Sequence, residues 1–412
     1  MWHECGFEGV FYMTEFGTDK YWKKGLWRNK YVFAVLRWPI TAFLRLKFDF
    51  RAKRYTPKNK TFLLLTNHNS TMDHFMNAAG VKGYMRFVVS DHLMRKGLLS
   101  FALRFLVNPI PRRKGGSGAQ AVKMIKQNLS LGIPVILYAE GNRSFNGRTG
   151  FISPRTGALV KEAEGALITY RIEGAYMQTP RWAKYKRKGP VFGKVIGEYS
   201  REELNKMTVE EINRLIARDL FVDEYANQRV NKIPYRGENL AENLETALFT
   251  CPKCGEIGML ESKGNEFFCK CGMKTRLNEY GFFEGGGLPF DNVYDWDKWQ
   301  NAAFVDRVDS LKKENALVTE DTGMILYEVF GNEKKMLMEK ARLKLYADRF
   351  VFEADGKTET VLLSDVRQTG VAHTQFLYFS AGERYFEVRA DHIWCARKYF
   401  ALHRMLTGME YV

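Results

Sequence analysis

The 412-residue chain lacks the hydrophobic segments that direct a protein into or across a membrane. Its first residues contain no continuous apolar run followed by a small-residue cleavage site, so we expect no secretory signal peptide and a cytoplasmic protein. The most apolar early stretch, residues 31–50, is interrupted by two arginines, a lysine and a proline. It falls short of the roughly 20 uninterrupted apolar residues that cross a bilayer. We therefore expect no membrane-spanning helix.

Acidic residues are also scarce. The chain has 47 Asp and Glu against 63 Lys and Arg, a formal net charge of +16. Such a balance favours contact with polyanions, meaning nucleic acid, an anionic lipid surface or phosphorylated substrates. A chain of 412 residues also exceeds one ordinary core, which predicts two to four domains.

The first segment, residues 1–56, interleaves basic and aromatic residues, such as Lys24, Arg28, Trp27 and Trp38. This pattern is typical of a segment that lies in the interface of an anionic membrane. The alternative is an amphipathic helix packed on its own domain, because periodicity does not separate a core face from a lipid face.

The second segment, residues 57–240, predicts an α/β domain with a mixed sheet flanked by helices. Short β-type runs at 61–66, 86–89, 133–138, 166–173 and 190–198 alternate with helical patterns. A helix is expected over 117–131, with Gly132 at its C-terminal end. Two capping boxes, Ser200 with Glu203 and Thr208 with Glu211, predict two later helix starts.

A histidine and an aspartate follow the first of these strands with the spacing His-x-x-x-x-Asp, at His68 and Asp73. A carboxylate beside an imidazole fixes its tautomer and stabilises the imidazolium that forms on proton uptake. The pair is therefore a candidate general base. Asn67, Asn69, Ser70 or a backbone N–H of this turn are candidates to stabilise an oxyanion.

Two further polar clusters lie downstream. Pro109 to Gly115 contains Arg112 and Arg113, whose guanidinium groups suit bidentate recognition of a phosphate. Glu140, Gly141, Arg143 and Ser144 follow the strand at 133–138, on the same edge as His68 if the strands are parallel.

The order of these blocks resembles the glycerophospholipid acyltransferase family, of which 1-acylglycerol-3-phosphate acyltransferase is the common member. The resemblance rests on four blocks between about residues 57 and 229: 67–73, 110–113, 139–144 and 166–174. It implies that His68 removes a proton from an acceptor hydroxyl while Asp73 orients it, without a covalent acyl-enzyme. It also implies that the phosphate and glycerol of the acceptor are bound by Arg112 or Arg113, Glu140, Gly141, Arg143 and Ser144.

The family resemblance implies an acyl thioester donor, acyl-CoA or acyl carrier protein, and a lyso-phospholipid acceptor at the inner face of a membrane. No redox cofactor is expected. Ala139 and Asn142 replace the usual Pro and Thr of the third block, and 166–174 lacks the usual proline. These departures leave other lyso-lipid acceptors open, including amino-acid-based ones. A non-catalytic protein that binds membrane or nucleic acid is the other alternative.

Residues 241–290 predict a zinc ribbon. Cys251, Cys254, Cys269 and Cys271 supply the four thiolates of a tetrahedral structural zinc ion, which leaves no open position for a substrate. A disulfide pair is the rival, disfavoured in a reducing compartment. Three glutamates between the cysteine pairs make a nucleic-acid surface unlikely here.

Residues 291–412 predict a β-rich domain that ends in one helix. Short β-type runs occur at 343–345, 350–352, 361–363, 376–379 and 385–388, and a helical pattern covers 391–406. This order is similar to that of pleckstrin-homology domains. A protein-interaction module is the alternative.

Overall fold

The fold is taken from a computed structural model, which describes residues 17–90, 97–112, 118–330 and 333–409. Arg113 and the first 16 residues of the early segment lie outside this part of the chain. No helix among the described residues is long and apolar enough to cross a membrane.

A seven-stranded sheet forms the centre of the N-terminal domain. Its strands are β1 (Phe50–Ala52), β2 (Phe62–Thr66), β3 (Arg86–Ser90), β4 (Ile110–Arg112), β5 (Val135–Tyr138), β6 (Ala166–Glu173) and β7 (Val191–Tyr199). They are ordered β1-β7-β6-β2-β5-β3-β4. β7 is antiparallel to β6, and all other neighbours are parallel. The mixed sheet and its five predicted strands are confirmed. The three-residue strands β1 and β4 were not predicted.

Helices cover both faces of this sheet, and every residue of the central strand β2 is buried. The helices of this domain are α1 (Asp19–Lys23), α2 (Leu26–Phe48), α3 (Asp73–Gly80), α4 (Gly97–Leu106), α5 (Ala119–Ser130), α6 (Arg155–Glu162), α7 (Ala175–Gln178), α8 (Arg201–Lys206), α9 (Val209–Leu220) and α10 (Glu224–Asn231). Both predicted capping boxes form, at the starts of α8 and α9. Leu63 and Leu65 enter one core, whereas Leu64 enters the core on the opposite face.

Helix α2 presents apolar side chains to two environments. Phe33 and Leu44 pack in the core of the N-terminal domain, whereas Trp27 and Trp38 are 77% and 70% exposed. The chain then continues into β1, which pairs with β7. The domain boundary predicted at residue 56 therefore falls between β1 and the other strands of its sheet.

The cysteine region folds as a four-stranded antiparallel sheet ordered β11-β10-β9-β8. Its strands are β8 (Leu260–Lys263), β9 (Glu266–Cys269), β10 (Lys274–Leu277) and β11 (Phe283–Glu284). Helix α11 (Val293–Val305) follows. Its Trp296 packs against Phe267 at 5.3 Å between ring centroids, while Phe304 enters the C-terminal core. α11 therefore belongs to both cores, although the predicted boundary at 290 assigns it to the last domain.

The C-terminal domain contains a second seven-stranded sheet, antiparallel throughout and preceded by α12 (Val308–Glu314). The strands are β12 (Leu317–Phe330), β13 (Glu333–Tyr346), β14 (Arg349–Ala354), β15 (Lys357–Leu362), β16 (Val366–Ala372), β17 (Phe376–Ala381) and β18 (Arg384–Ala390). Their spatial order is β15-β14-β13-β12-β18-β17-β16. The β-rich region and the terminal helix α13 (Ala396–Leu406) are confirmed.

The terminal helix begins later than the predicted residue 391. Cys395 is its N-cap, and the Sγ atom accepts a hydrogen bond from the Lys398 backbone N–H. The buried Trp394 just before it donates to the Gln375 carbonyl at 2.7 Å. This anchor holds residues 391–394 outside the helix. Strands β12 and β16 were not predicted, because Glu320, Asp321 and Gly323 interrupt the apolar pattern of β12 and Gly370 interrupts that of β16.

Candidate active site

His68 and Asp73 lie at the carboxyl end of β2 and form a hydrogen-bonded pair. His68 Nδ1 is 2.9 Å from Asp73 Oδ2, which also accepts the backbone N–H groups of Asn69 at 2.7 Å and Ser70 at 2.9 Å. An oxygen that accepts two N–H groups is an acceptor toward the imidazole as well, so the Nδ1 proton points to Asp73. In this tautomer Nε2 carries the lone pair and is the ring nitrogen that can act as a base.

Burial dominates the electrostatics of Asp73. The carboxyl group has no exposed surface, and this burial raises its pKa from 3.8 to about 7, although the Ser70 and Asn69 amides lower it. The His68 ring is 16% exposed and stacks on Tyr138, with 4.1 Å between centroids. The imidazole is therefore fixed by a carboxylate on one edge and a ring on one face.

Glu140 stands beside this pair because β2 and β5 are parallel, with Thr66 opposite Tyr138. Its Oε1 accepts the His68 backbone N–H at 2.8 Å, and Oε2 accepts the Gly150 N–H at 2.7 Å. Burial raises its pKa to about 7, opposed by these two donors. Glu140 was predicted to bind substrate. That role stays a prediction, and the observed contacts show that Glu140 also holds the backbone that carries His68.

Gly141 allows a basic side chain to approach the turn closely. Its φ of +69° is in the left-handed region, and an added Cβ would lie 3.0 Å from Arg112 Nη1. Arg112 ends β4, whose parallel orientation brings it to the same edge of the sheet as His68. The structure therefore brings Arg112 and Gly141 together.

Arg143 and Ser144 begin a loop, residues 143–150, that contacts the histidine turn. The Ser144 backbone N–H donates to the His68 carbonyl at 2.8 Å. Its hydroxyl donates to the Arg148 carbonyl at 2.8 Å, so Ser144 shapes the loop itself. Arg143 is half-buried and lines the same cavity as His68.

The candidate oxyanion groups are partly engaged elsewhere. Asn67 exchanges two hydrogen bonds of 2.8 Å with the backbone of Ile172, and the amides of Asn69 and Ser70 donate to Asp73. These groups therefore fix the turn between β2 and α3.

One cavity of about 1190 Å³ connects these groups. Its apolar side includes Val32, Phe33, Leu36 and Ile40 of α2. Its polar side carries seven arginines: Arg37, Arg112, Arg143, Arg148, Arg181, Arg397 and Arg404. Glu140 is the acidic residue in this lining, and both of its oxygens accept N–H groups. The cavity therefore suits a ligand with an anionic group and an apolar chain.

Comparison with protein families identifies this part of the chain. Residues 47–173 match the model of the Acyltransferase family. These residues are an acyltransferase domain. The resemblance stated from the sequence is thereby confirmed for the region that carries His68, Asp73, Arg112 and Arg143. No curated protein matches the chain.

Two solved structures are similar to separate parts of the chain. The 1-acyl-sn-glycerophosphate (LPA) acyltransferase PlsC from Thermotoga maritima matches at 19% identity and a TM-score of 0.40, over 51% of this chain and 89% of that one. The Vps36 N-terminal PH domain matches at 15% identity and a TM-score of 0.19, over 23% of this chain and 80% of that one.

The four predicted metal ligands converge at one point of the ribbon. The Sγ atoms of Cys251, Cys254, Cys269 and Cys271 all lie within 4.8 Å of one another. The pairs Cys251–Cys271 and Cys254–Cys269 are 3.7 and 3.8 Å apart. Ligands about 2.3 Å from a tetrahedral zinc ion are separated by about 3.8 Å, whereas a disulfide brings the sulfurs to about 2.05 Å. The arrangement fits a metal ion.

Sequence reasoning missed Arg181 and Tyr138 as members of the site. Tyr138 ends β5 and reads as an ordinary strand residue, whereas Arg181 is a single arginine in a loop of a basic chain. Neither position carries a motif, because both act through contacts that form only in the folded chain.

Proposed function

We propose that this acyltransferase moves an acyl group from an acyl thioester, acyl-CoA or acyl carrier protein, to the hydroxyl of a lyso-phospholipid. The observation that carries this proposal is the single cavity that joins His68 to arginines on one side and to the apolar side chains of α2 on the other. A phosphate on a lipid requires both surfaces within one site.

In the proposed reaction, His68 Nε2 takes the proton of the acceptor hydroxyl, and Asp73 stabilises the resulting imidazolium. The acceptor oxygen forms a bond to the thioester carbonyl carbon. The carbon–sulfur bond then breaks, and the proton passes from His68 to the leaving thiolate. Arg112 and Arg143 hold the acceptor phosphate.

The acceptor we favour is 1-acylglycerol-3-phosphate, which would give phosphatidic acid. Arg112 and Arg143 support this choice because neither forms an ion pair within the described residues, and a phosphomonoester needs cations that are not neutralised by the protein. Another lyso-lipid acceptor is the alternative.

A thiol-release assay against a panel of lyso-lipids tests the function and identifies the acceptor. His68→Ala and Asp73→Ala are expected to lower turnover by about a thousandfold or more, because the first removes the base and the second removes the carboxylate that orients it. His392→Ala, an exposed histidine of the C-terminal domain, is the matched control and should retain full turnover. Unchanged turnover in both site variants would refute the proposal.

We further propose that the protein works at an anionic membrane surface. The exposed Trp27 and Trp38 of α2 are joined by Phe101 of α4, which is 68% exposed. α2 and α4 are tied together, since Asn29 Nδ2 donates to the Phe105 carbonyl at 2.9 Å. Helix α2 also lines the cavity that contains His68. A lipid chain could therefore enter the cavity from the side that carries the exposed tryptophans.

The ribbon is proposed to hold a structural zinc ion through its four cysteines, in agreement with the sulfur separations. Metal analysis of the purified chain should give about one zinc ion per molecule. A chain that is folded and active without bound metal would contradict this proposal.

A further inference from the structure

The loop at residues 143–150 is held by parts of the chain outside the acyltransferase domain. Asn146 Nδ2 donates to Asp297 of α11 at 2.7 Å, and the Arg148 guanidinium donates to the Tyr294 hydroxyl of the same helix. Phe145 packs against the core of the C-terminal domain. The loop beside the catalytic histidine is therefore fixed partly by α11 and the C-terminal domain.

Arg181 makes the most extensive of these connections. Its Nη1 donates to the Arg143 carbonyl at 3.0 Å, while Nε and Nη2 donate to the carbonyls of His373 and Val371, each at 2.8 Å. The guanidinium also lies 3.8 Å from the centroid of the Phe145 ring. Arg181 is 6% exposed, so these contacts form in a low-dielectric environment.

A second arginine supports Phe145 from α13. Arg397 lies 4.6 Å from the centroid of the Phe145 ring, and its Nη2 forms a 2.7 Å ion pair with Asp297. Asp297 also accepts the hydrogen bond from the side chain of Asn146. The two arginines, the phenylalanine and the aspartate thus form one connection between domains.

This connection reaches Arg143 and His68, the two residues to which the proposed reaction assigns phosphate binding and proton transfer. Arg181 binds the carbonyl of Arg143, and the next residue, Ser144, donates to the carbonyl of His68. The C-terminal domain also lines the substrate cavity through Phe400 and Arg404 of α13.

We propose that Arg181 is a positioning residue that couples the C-terminal domain to phosphate recognition by Arg143. On this view the last domain is a working part of the acyl-transfer site. The inference rests on the proposed function, since it assumes that Arg143 holds the phosphate of the acceptor. The guanidinium of Arg181 already donates to three backbone carbonyls. We therefore assign it a role in positioning Arg143 and not in binding the phosphate itself.

The test is a comparison of Arg181→Gln and Arg181→Lys with the intact full-length chain. Both substitutions should raise KM for the phosphate-bearing acceptor by about ten- to hundredfold. Neither glutamine nor lysine has the planar guanidinium that donates to all three carbonyls at once. KM for the acyl donor and the pH midpoint of activity should change little, since the His68–Asp73 pair is retained. Arg342→Gln, an exposed arginine of the same domain, is the charge-matched control.

A double-mutant cycle distinguishes positioning from a general loss of structure. If Arg181 acts through Arg143, then adding Arg181→Gln to Arg143→Gln should raise KM for the acceptor no further. Additive effects, or an unchanged acceptor KM in Arg181→Gln, would overturn the inference.

A binding measurement separates this inference from the proposed reaction. Titration calorimetry with glycerol 3-phosphate should show about ten- to hundredfold weaker binding to Arg181→Gln than to the unaltered chain. Equal binding would overturn the role of Arg181. Failure of the proposed acyl transfer would appear separately, as absence of thiol release from the unaltered chain.

Discussion

Replacing Asp73 by asparagine should remove activity and yet make the stability of the protein less sensitive to rising pH. The folded structure buries this carboxyl completely, and its pKa rises from 3.8 to about 7. Because the folded state binds the proton more tightly than the unfolded state, stability is greatest at low pH. It falls as the pH rises toward the folded pKa.

The size of the effect follows from this difference. Each unit between the two pKa values corresponds to about 1.36 kcal/mol, so the buried charge costs the folded state up to roughly 4 kcal/mol above pH 7. At about pH 5 the cost is smaller, roughly 2 kcal/mol. Asparagine never ionises. Relative to the unaltered chain, Asp73→Asn should therefore gain up to roughly 2 kcal/mol between about pH 5 and pH 8.

The change with pH is more informative than the stability at one pH. Asparagine places an amide N–H₂ group near Asp73 Oδ1, which has no hydrogen-bond partner among the described residues. A buried unsatisfied donor costs about 1–3 kcal/mol, and this cost is the same at every pH. Only the pH-dependent part of the difference reports the buried charge.

Urea unfolding followed by circular dichroism at several pH values measures this difference. Asp391→Asn, at an exposed aspartate of the C-terminal domain, is the matched control and should parallel the unaltered chain. If Asp73→Asn also ran parallel to the unaltered chain across this pH range, burial would not govern Asp73 and the reasoning would be wrong.

Three further predictions follow from the site and its surroundings. Activity should rise with pH around a midpoint of about 7, because His68 needs an ionised Asp73; a pH profile with no inflection there would contradict it. Glu140→Gln should lower kcat/KM by about tenfold or more, because glutamine offers one acceptor to two backbone N–H groups; steady-state kinetics would measure this, and normal kinetics would refute it. Trp38→Ala should weaken binding to anionic vesicles by about tenfold in a sedimentation assay, whereas Val230→Ala, 81% exposed on α10, should not; equal losses would exclude α2 as the membrane face.

The positions of the histidine turn and the glutamate turn were predictable from the sequence because they depend on local patterns. An apolar run followed by His68 predicts a buried strand that ends at a polar turn, and a second run predicts the neighbouring strand before Glu140. Parallel strands bring their carboxyl ends to one edge, so the two turns meet. The four cysteines were equally predictable, since their spacing alone indicates a metal site.

The role of Glu140 was not predictable, because the sequence does not record which groups a carboxylate will meet. Both of its oxygens accept backbone N–H groups, and a backbone donor has no residue type that a pattern could reveal. The family resemblance implied substrate binding, which stays a prediction, and the observed contacts add support of the histidine turn.

Arg181 was invisible for a related reason. Two of its carbonyl partners lie 190 and 192 residues further along the chain. Contacts over such distances arise from the packing of whole domains, which periodicity and motif spacing do not encode. The long strand β12 was missed because Glu320, Asp321 and Gly323 interrupt the apolar alternation in its first half.

Helix α11 connects the proposed zinc ion of the ribbon to the loop beside His68. Trp296 packs on the ribbon beside the cysteines, and the next residue, Asp297, holds both Asn146 and Arg397. A ribbon deprived of its ion would release the tryptophan and, with it, the carboxylate that anchors the loop near His68. If the proposed acyl transfer and the proposed zinc ion both hold, turnover would depend on metal occupancy of the ribbon, although no cysteine of the ribbon lines the cavity.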